Sequence, residues 1–195
     1  MRISLKYIII VIWTLILLGC AQKMVDIQTL QEYNQYQDMP CATFGAGCFW
    51  GVQSVFEKTE GVIATFVGYS GGNKANPSYF DVCNKNTGHA EVVRVVYDST
   101  KISYQKLLEF FWEIHDPTSL NRQGPDVGEQ YRSVIFYHDS EQLEAARSSQ
   151  KALESAKKYQ KPIVTQILPA ETFYLAEEYH QHYNQKQGKP GGTWR

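Results

Sequence analysis

The sequence predicts an α+β fold, a two-layer ferredoxin-like sandwich with long irregular segments. Three observations lead there. AEVVRVVYD (90–98) is rich in β-branched residues and reads as the clearest strand in the chain. After Ser103, apolar residues fall at Tyr104, Leu107, Leu108, Phe111 and Trp112, the i, i+3, i+4, i+7, i+8 stripe of a capped amphipathic helix. The first six elements run β-α-β-β-α-β, the order of a split βαβ unit.

Taken in order, ATFGAG (42–47) is a short buried strand feeding a turn, and GVQSVFEKTEG (51–61) is a helix closed by glycine. VIATFVGYS (62–70) is a second strand, and GGNKANPSYFDVCNKNTG (71–88) a loop with one helical turn after Pro77. The strand at 90–98 and the helix from Ser103 follow, the helix ending at Asp116-Pro117 because a residue before proline is pushed out of the helical region. PTSLNRQGPDVGEQ (117–130) is a long polar loop carrying Arg122, Asp126 and Glu129, with Tyr131 just beyond it. A loop of this length inside a domain of this size is read as a site loop. RSVIFYH (132–138) is a strand, 139–160 a long helix, IVTQIL (163–168) a strand and ETFYLAEEYHQHYNQK (171–186) a final helix.

The 195 residues suffice for one domain, and 43% hydrophobic with 20% charged residues is a globular composition. A formal net charge of -1 gives no reason to expect nucleic acid as a partner. The N-terminus is a separate object. Arg2 and Lys6 precede the uncharged run YIIIVIWTLILL (7–18), which at 1.5 Å per residue covers about 18 Å, less than the roughly 30 Å of a bilayer core. That favours an export signal over a membrane span. The run ends in L-L-G-C, which resembles a bacterial lipoprotein signal with lipid carried on Cys20. The expected organisation is therefore a signal over 1–19, a polar tether over 20–40 and one domain over 41–195, exported and held by lipid on the periplasmic or cell-surface side.

Two residues carry the chemistry. Cys48 sits in G-A-G-C-F-W-G (45–51), at the expected strand-to-helix turn. Unpaired N–H groups and the helix dipole there favour thiolate over thiol. Gly45 and Gly47 permit a tight turn and a close approach, and Phe49 and Trp50 supply an apolar wall. Glu91 shares a strand face with Val93, Val95 and Tyr97. On an apolar face its carboxyl would be kept protonated by desolvation and could donate a proton. At a frayed strand end it would meet water and stay ordinary.

Together these residues resemble the peptide methionine sulfoxide reductase A family. The resemblance is carried by GCFWG (47–51), GYSGG (68–72), TGHAEVV (87–93), HDPTSLNRQGPDVGEQYRS (115–133) and AEEYHQ (176–181), over roughly residues 42–183. It implies that Cys48 attacks the sulfur of methionine sulfoxide and that Glu91 protonates the oxygen. Phe49 and Trp50 would hold the S-methyl group, Tyr79 and Tyr131 the oxygen, while Asp126 organises the site by hydrogen bonding. His89 and His115 read as structural, with His180 nearer the pocket. The implied substrates are oxidised proteins and peptides, and free methionine sulfoxide.

No bound cofactor or metal is implied. The Cys48 sulfenic acid would be reduced by an external thiol, whether thioredoxin, glutaredoxin or another donor, or dithiothreitol in vitro. Many members carry resolving cysteines in a C-terminal tail, whereas here no cysteine follows Cys83, leaving Cys41 and Cys83 as internal candidates. The rival readings are a lipid-anchored thiol peroxidase and a non-catalytic binding module of the same fold. Absence of C-x-x-C argues against a thiol–disulfide oxidoreductase. Mass spectrometry of the protein from its native host is expected to show diacylglycerol on Cys20; a soluble form retaining Met1 would refute the anchor.

Overall fold

The strand that is clearest in the sequence lies at the middle of the sheet. In the computed structural model, which describes residues 25–190, β3 (Ala90–Tyr97) is paired on both sides. The expected signal segment and Cys20 lie outside the described residues. β3 runs antiparallel to β1 (Cys41–Ala46) on one side and to β2 (Val62–Ser70) on the other. β6 (Ser133–Tyr137) lies antiparallel to β1 on its far side. With α2 (Phe49–Phe56) after β1 and α4 (Tyr104–Glu113) after β3, the order β6-β1-β3-β2 is that of the ferredoxin-like unit. β7 (Gln166–Pro169) extends one edge parallel to β6, and β8 (Tyr174–Leu175) the other edge antiparallel to β2.

The period of two decides which side chains meet the helices. Ala42 and Phe44 of β1, with Val93, Val95 and Tyr97 of β3, face α2 and α4. Phe44 is the hub, its ring 5.0 Å from Phe111 and 5.5 Å from Phe56, both stacked. The stripe read from the sequence is the buried face of α4: Tyr104, Leu107, Leu108, Phe111 and Trp112. Ser103 caps that helix by accepting from the Lys106 N–H at 3.1 Å. α5 (Ser140–Ser155), capped by Asp139, packs beside α4 and β6.

Several boundaries differ from expectation. Before β1, α1 (Ile27–Gln35) occupies part of the segment expected to be a tether. It lies against the sheet face that the other helices leave open. The Tyr33 ring packs edge-on to Phe66 at 5.2 Å and stacks on Phe173 at 5.6 Å, and its hydroxyl accepts from Arg94 Nη1 at 3.0 Å. The tether is thus shorter than its composition implied. Residues 79–84 form α3 (Tyr79–Asn84) in place of a single turn, because Ser78 and Asp81 make a reciprocal capping box. The site loop holds a small ribbon, β4 (Arg122–Gln123) against β5 (Asp126–Val127).

The expected final helix over 171–186 is instead β8, a 3₁₀ turn at Glu178–His180 and a short α6 (Tyr183–Lys186). Its polar side chains satisfy neighbouring backbone rather than its own helix. Gln181 accepts from the Val67 N–H at 3.0 Å and donates to the Val67 carbonyl at 2.9 Å, and His182 sits at φ 52°. Pairing with β2 outweighs helical propensity here.

Tyr33→Ala is expected to cost about 2 kcal/mol through loss of two ring contacts and a hydrogen bond. Hydrogen exchange should show residues 27–35 losing protection first; unchanged protection would mean that Tyr33 does not hold α1.

Candidate active site

Cys48 occupies the N-cap of α2, one residue beyond the end of β1 and its following Gly47. Gly47 has φ 93°, a backbone conformation a side chain would strain. Gly45 is required by crowding, since a Cβ there would lie 2.7 Å from Val134 Cγ1 and 3.1 Å from the Glu91 carbonyl. The turn therefore sets Cys48 at the start of α2, where its thiol makes no capping hydrogen bond and the Trp50 and Gly51 N–H groups act on it only as a weak pull toward thiolate.

Glu91 does not fray into water. It is paired opposite Tyr69 in β2 and is 2% exposed. Its Oε2 accepts the Phe49 N–H at 3.0 Å, spending a free donor of the first turn of α2 on the carboxyl beside the thiol. Burial dominates and pushes the Glu91 pKa up to about 8, with nearby Asp126 adding to the rise and the Phe49 N–H opposing it. The carboxyl is mostly protonated at neutral pH.

The thiol corrects one expectation. The helix terminus was expected to lower its pKa, yet burial pushes Cys48 up to about 12, reinforced by the charges of Glu91 and Asp126. The Trp50 and Gly51 N–H groups act in the expected direction but are outweighed by desolvation. At neutral pH Glu91 is itself largely uncharged, which removes its share of the rise.

The remaining expected residues gather round this pair. Burial raises the pKa of Tyr79 on α3 and of Tyr131 just after the ribbon, so both phenols stay protonated donors. Tyr131 lies within electrostatic reach of Glu91, Cys83, Asp126 and Cys48. Asp126, whose pKa burial also raises, keeps Oδ2 buried without a hydrogen-bond partner. Phe49 is 1% exposed, and its ring lies 6.4 Å from that of half-buried Trp50.

The sequence reading put His180 near the pocket but did not show how its segment clamps these residues. Glu177 accepts the Tyr69 hydroxyl at 3.0 Å and the Tyr79 N–H at 2.9 Å, locking the start of α3 to β2. His180 Nδ1 accepts the Trp50 indole N–H at 3.0 Å, and Tyr183 stacks on the indole at 3.8 Å. Burial pushes His180 down to about 4, so the ring stays neutral and able to accept. AEEYHQ was visible as a string, but which residue meets which depends on the non-helical path of 176–184.

His89 and His115 lie in structural networks. His89 Nδ1 accepts the Gly72 N–H at 3.2 Å, and His115 bridges the Phe111 carbonyl and Ser133 Oγ, each at 2.7 Å. Cys41 lies at the far end of β1, paired with Val96, while the Tyr79 hydroxyl donates to the Cys83 sulfur. Among the described residues Cys41, Cys48 and Cys83 are all free.

A half-buried thiol at a helix start, facing a neutral carboxyl and two phenols beside an aromatic wall, defines a thiol-based oxidoreductase on a ferredoxin-like α+β scaffold. Comparison with known proteins gives the family. The model of the family described as peptide methionine sulfoxide reductase matches residues 40–193, and the chain belongs to that family. The peptide methionine sulfoxide reductase MsrA of Methanosarcina acetivorans is 56% identical over 155 residues, 80% of this chain and 82% of that protein. The reduced form of Mxr1 from Saccharomyces cerevisiae superposes with a TM-score of 0.72 at 37% identity, covering 76% of this chain and 86% of that one. Mxr1 in complex with Trx2 gives a TM-score of 0.52 at 27% identity, covering 74% and 84%. α1 lies before the matched span.

Burial of Glu91 has a consequence for stability. Its folded pKa, about 8, exceeds the ordinary glutamate value of about 4.5, so its contribution is fully present below about 4.5 and is lost as pH rises toward 8. Glu91→Gln removes that loss. The variant is expected to melt higher than wild type, by a margin that widens between pH 5 and 8 and levels off above. A pH-independent margin would show that the carboxyl is not protonated in the native state.

Proposed function

We propose that the protein reduces the S-sulfoxide of methionine, in oxidised proteins and as the free amino acid, with Cys48 as nucleophile and Glu91 as general acid. The observation that carries this reading is the buried, protonated Glu91 carboxyl held by the Phe49 N–H beside the Cys48 thiol. A sulfoxide oxygen leaves only once protonated, and the attacking sulfur must lose its own proton. Since Oε2 accepts the Phe49 N–H, Oε1 is left to carry the acidic proton toward the substrate. The Tyr79 and Tyr131 hydroxyls donate to the same oxygen, Phe49 and Trp50 enclose the S-methyl group, and Asp126, whose buried Oδ2 has no hydrogen-bond partner, is placed to accept one when substrate binds.

The high Cys48 pKa means that little of the thiol is ionised at neutral pH. Thiol deprotonation is coupled to protonation of the sulfoxide oxygen, as the substrate supplies the base that the free enzyme lacks. Cys48 sulfur bonds to the sulfoxide sulfur as the oxygen, protonated by Glu91 and by the thiol's own proton, leaves as water. A water then attacks Cys48 sulfur and breaks the sulfur–sulfur bond, releasing methionine and a proton. One thiol and one sulfoxide thus become one sulfenic acid and one thioether. Cys48 is oxidised by two electrons, and methionine leaves.

Two equivalents of thiol then return the sulfenic acid to thiol, releasing water and a disulfide. Cys41 is separated from Cys48 by seven residues, about 20 Å of extended chain, whereas a disulfide needs α-carbons within about 7 Å. Cys83, the other internal candidate, is engaged by the Tyr79 hydroxyl and is read as a packed thiol, so direct reduction by an external thiol fits best. A thioredoxin-type protein is the reductant supported by the Mxr1–Trx2 complex. The L-L-G-C string supports export and a lipid anchor at Cys20.

The test uses separated epimers of a blocked methionine sulfoxide with dithiothreitol. Only the S form should turn over; equal use of both, or of the R form alone, would sink the assignment. Cys48→Ser should abolish reduction, and Glu91→Gln should lower the rate by about 10²–10⁴-fold with binding nearly intact. In wild type, kcat/KM should fall as pH rises through about 8, where Glu91 loses its proton. A fully active Glu91→Gln enzyme would make Glu91 structural.

A further inference from the structure

Glu177 is a buried carboxyl that the chemistry above leaves unused. Its Oε2 accepts the Tyr69 hydroxyl at 3.0 Å and its Oε1 the Tyr79 N–H at 2.9 Å. Tyr69 is fully buried and stands opposite Glu91 in the β2–β3 pairing, with its ring 5.9 Å from that of Phe49. The Tyr79 N–H is a first-turn donor of α3 that the capping box does not serve, because the Ser78 and Asp81 side chains accept each other's N–H groups. One carboxyl thus joins the strand position beside the acid to the backbone of the phenol. Glu177 also begins the 3₁₀ turn that sets the His180 ring 4.5 Å from the Tyr79 ring. Tyr79 is held at its backbone and at its ring by one short segment.

We propose that Glu177 is a positioning residue for sulfoxide reduction, holding Tyr79 where its hydroxyl donates to the oxygen that Glu91 protonates. This rests on the sulfoxide reductase reading. Glu177 touches no reacting atom and acts through Tyr79. A hydroxyl can turn to find another acceptor, but a peptide N–H cannot, so the start of α3 follows Glu177 Oε1. A small tilt there is carried along the side chain to the phenol oxygen. Donors to a developing charge act only within a narrow range of distance, and a misplacement of about 1 Å can cost about 10²-fold. Glutamate can accept on both oxygens, whereas glutamine of the same shape turns an NH₂ toward one of the two donors.

The test is a double-mutant cycle with Tyr79→Phe on the S-sulfoxide of a blocked methionine. It is read as the single-turnover rate of reduced enzyme, so that regeneration by the reductant does not enter. Glu177→Gln alone should lower the saturated rate by about tenfold or more, with the half-saturating concentration changed less than about threefold. In the Tyr79→Phe background the hydroxyl to be positioned is gone, and the same substitution should change the rate less than about twofold. An equal loss in both backgrounds would make Glu177 merely structural and overturn the proposal. So would a fully active Glu177→Gln or Tyr79→Phe enzyme. The rate of Glu177→Gln should still fall as pH rises through about 8; loss of that fall would mean that the substitution acts through Glu91, which also overturns it. Should Glu177→Gln fail to fold, Tyr69→Phe takes its place in the cycle, since it removes one of the two donors that fix the carboxyl. A loss that vanishes in the Tyr79→Phe background then supports the proposal, and an equal loss or none overturns it. Failure of wild type to reduce the blocked sulfoxide would instead remove the underlying activity.

Discussion

The site depends on one hydrogen bond, from the Phe49 N–H to the Glu91 carboxyl. It joins the central strand of the sheet to the first turn of the helix that carries Cys48. A helix start offers donors with no partner inside the helix, and a buried carboxyl must find a donor or lose several kcal/mol of solvation. Each group meets the other's need, and the meeting places an acid beside a nucleophile. Because the bond comes from a neutral N–H, it orients the carboxyl without supplying the full positive charge that would hold it ionised. Burial then dominates the titration of Glu91.

The same burial acts oppositely on the two partners' usefulness. For Glu91 it keeps the proton available; for Cys48 it withholds the thiolate. A site with a permanently ionised thiol would invite any oxidant, whereas the proposed mechanism has this one activated by a substrate that takes up a proton as the thiol gives one. Phe49 and Trp50 belong to the same proposal, as the apolar wall that would receive the methyl group beside the buried thiol.

The wall is held from behind by residues far away in the chain. Trp50 is fixed by His180 and Tyr183, and α3, with Tyr79, by Glu177. Residues 176–184 can do this because they abandon helical geometry: Gln181 occupies the backbone groups of Val67, and His182 takes a left-handed conformation. On the opposite face of the sheet, α1 reaches the same segment through the Thr29 hydroxyl, 2.6 Å from Glu178 Oε2.

What the sequence alone determined was local or periodic. The strand at 90–98, the α4 stripe, the Ser103 cap and the ferredoxin-like order follow from spacings that any chain with these residues must obey. The places of Cys48 at a strand-to-helix turn and of Glu91 on the strand face it shares with Val93 and Val95 were legible too, one from its glycine neighbours, the other from alternation. The tertiary structure decided what depends on surroundings. Whether Glu91 is buried or frayed turned on its pairing opposite Tyr69 and on α2 covering it. The direction of the Cys48 shift turned on desolvation outweighing two N–H groups, a balance of terms that the local sequence cannot weigh. The tether became partly a helix because Phe66, Arg94 and Phe173 await Tyr33 on a face no spacing within 21–40 reveals. The last helix dissolved into a strap for the same reason: its side chains bond more favourably to distant backbone than to their own turn, and distant partners are created only by folding.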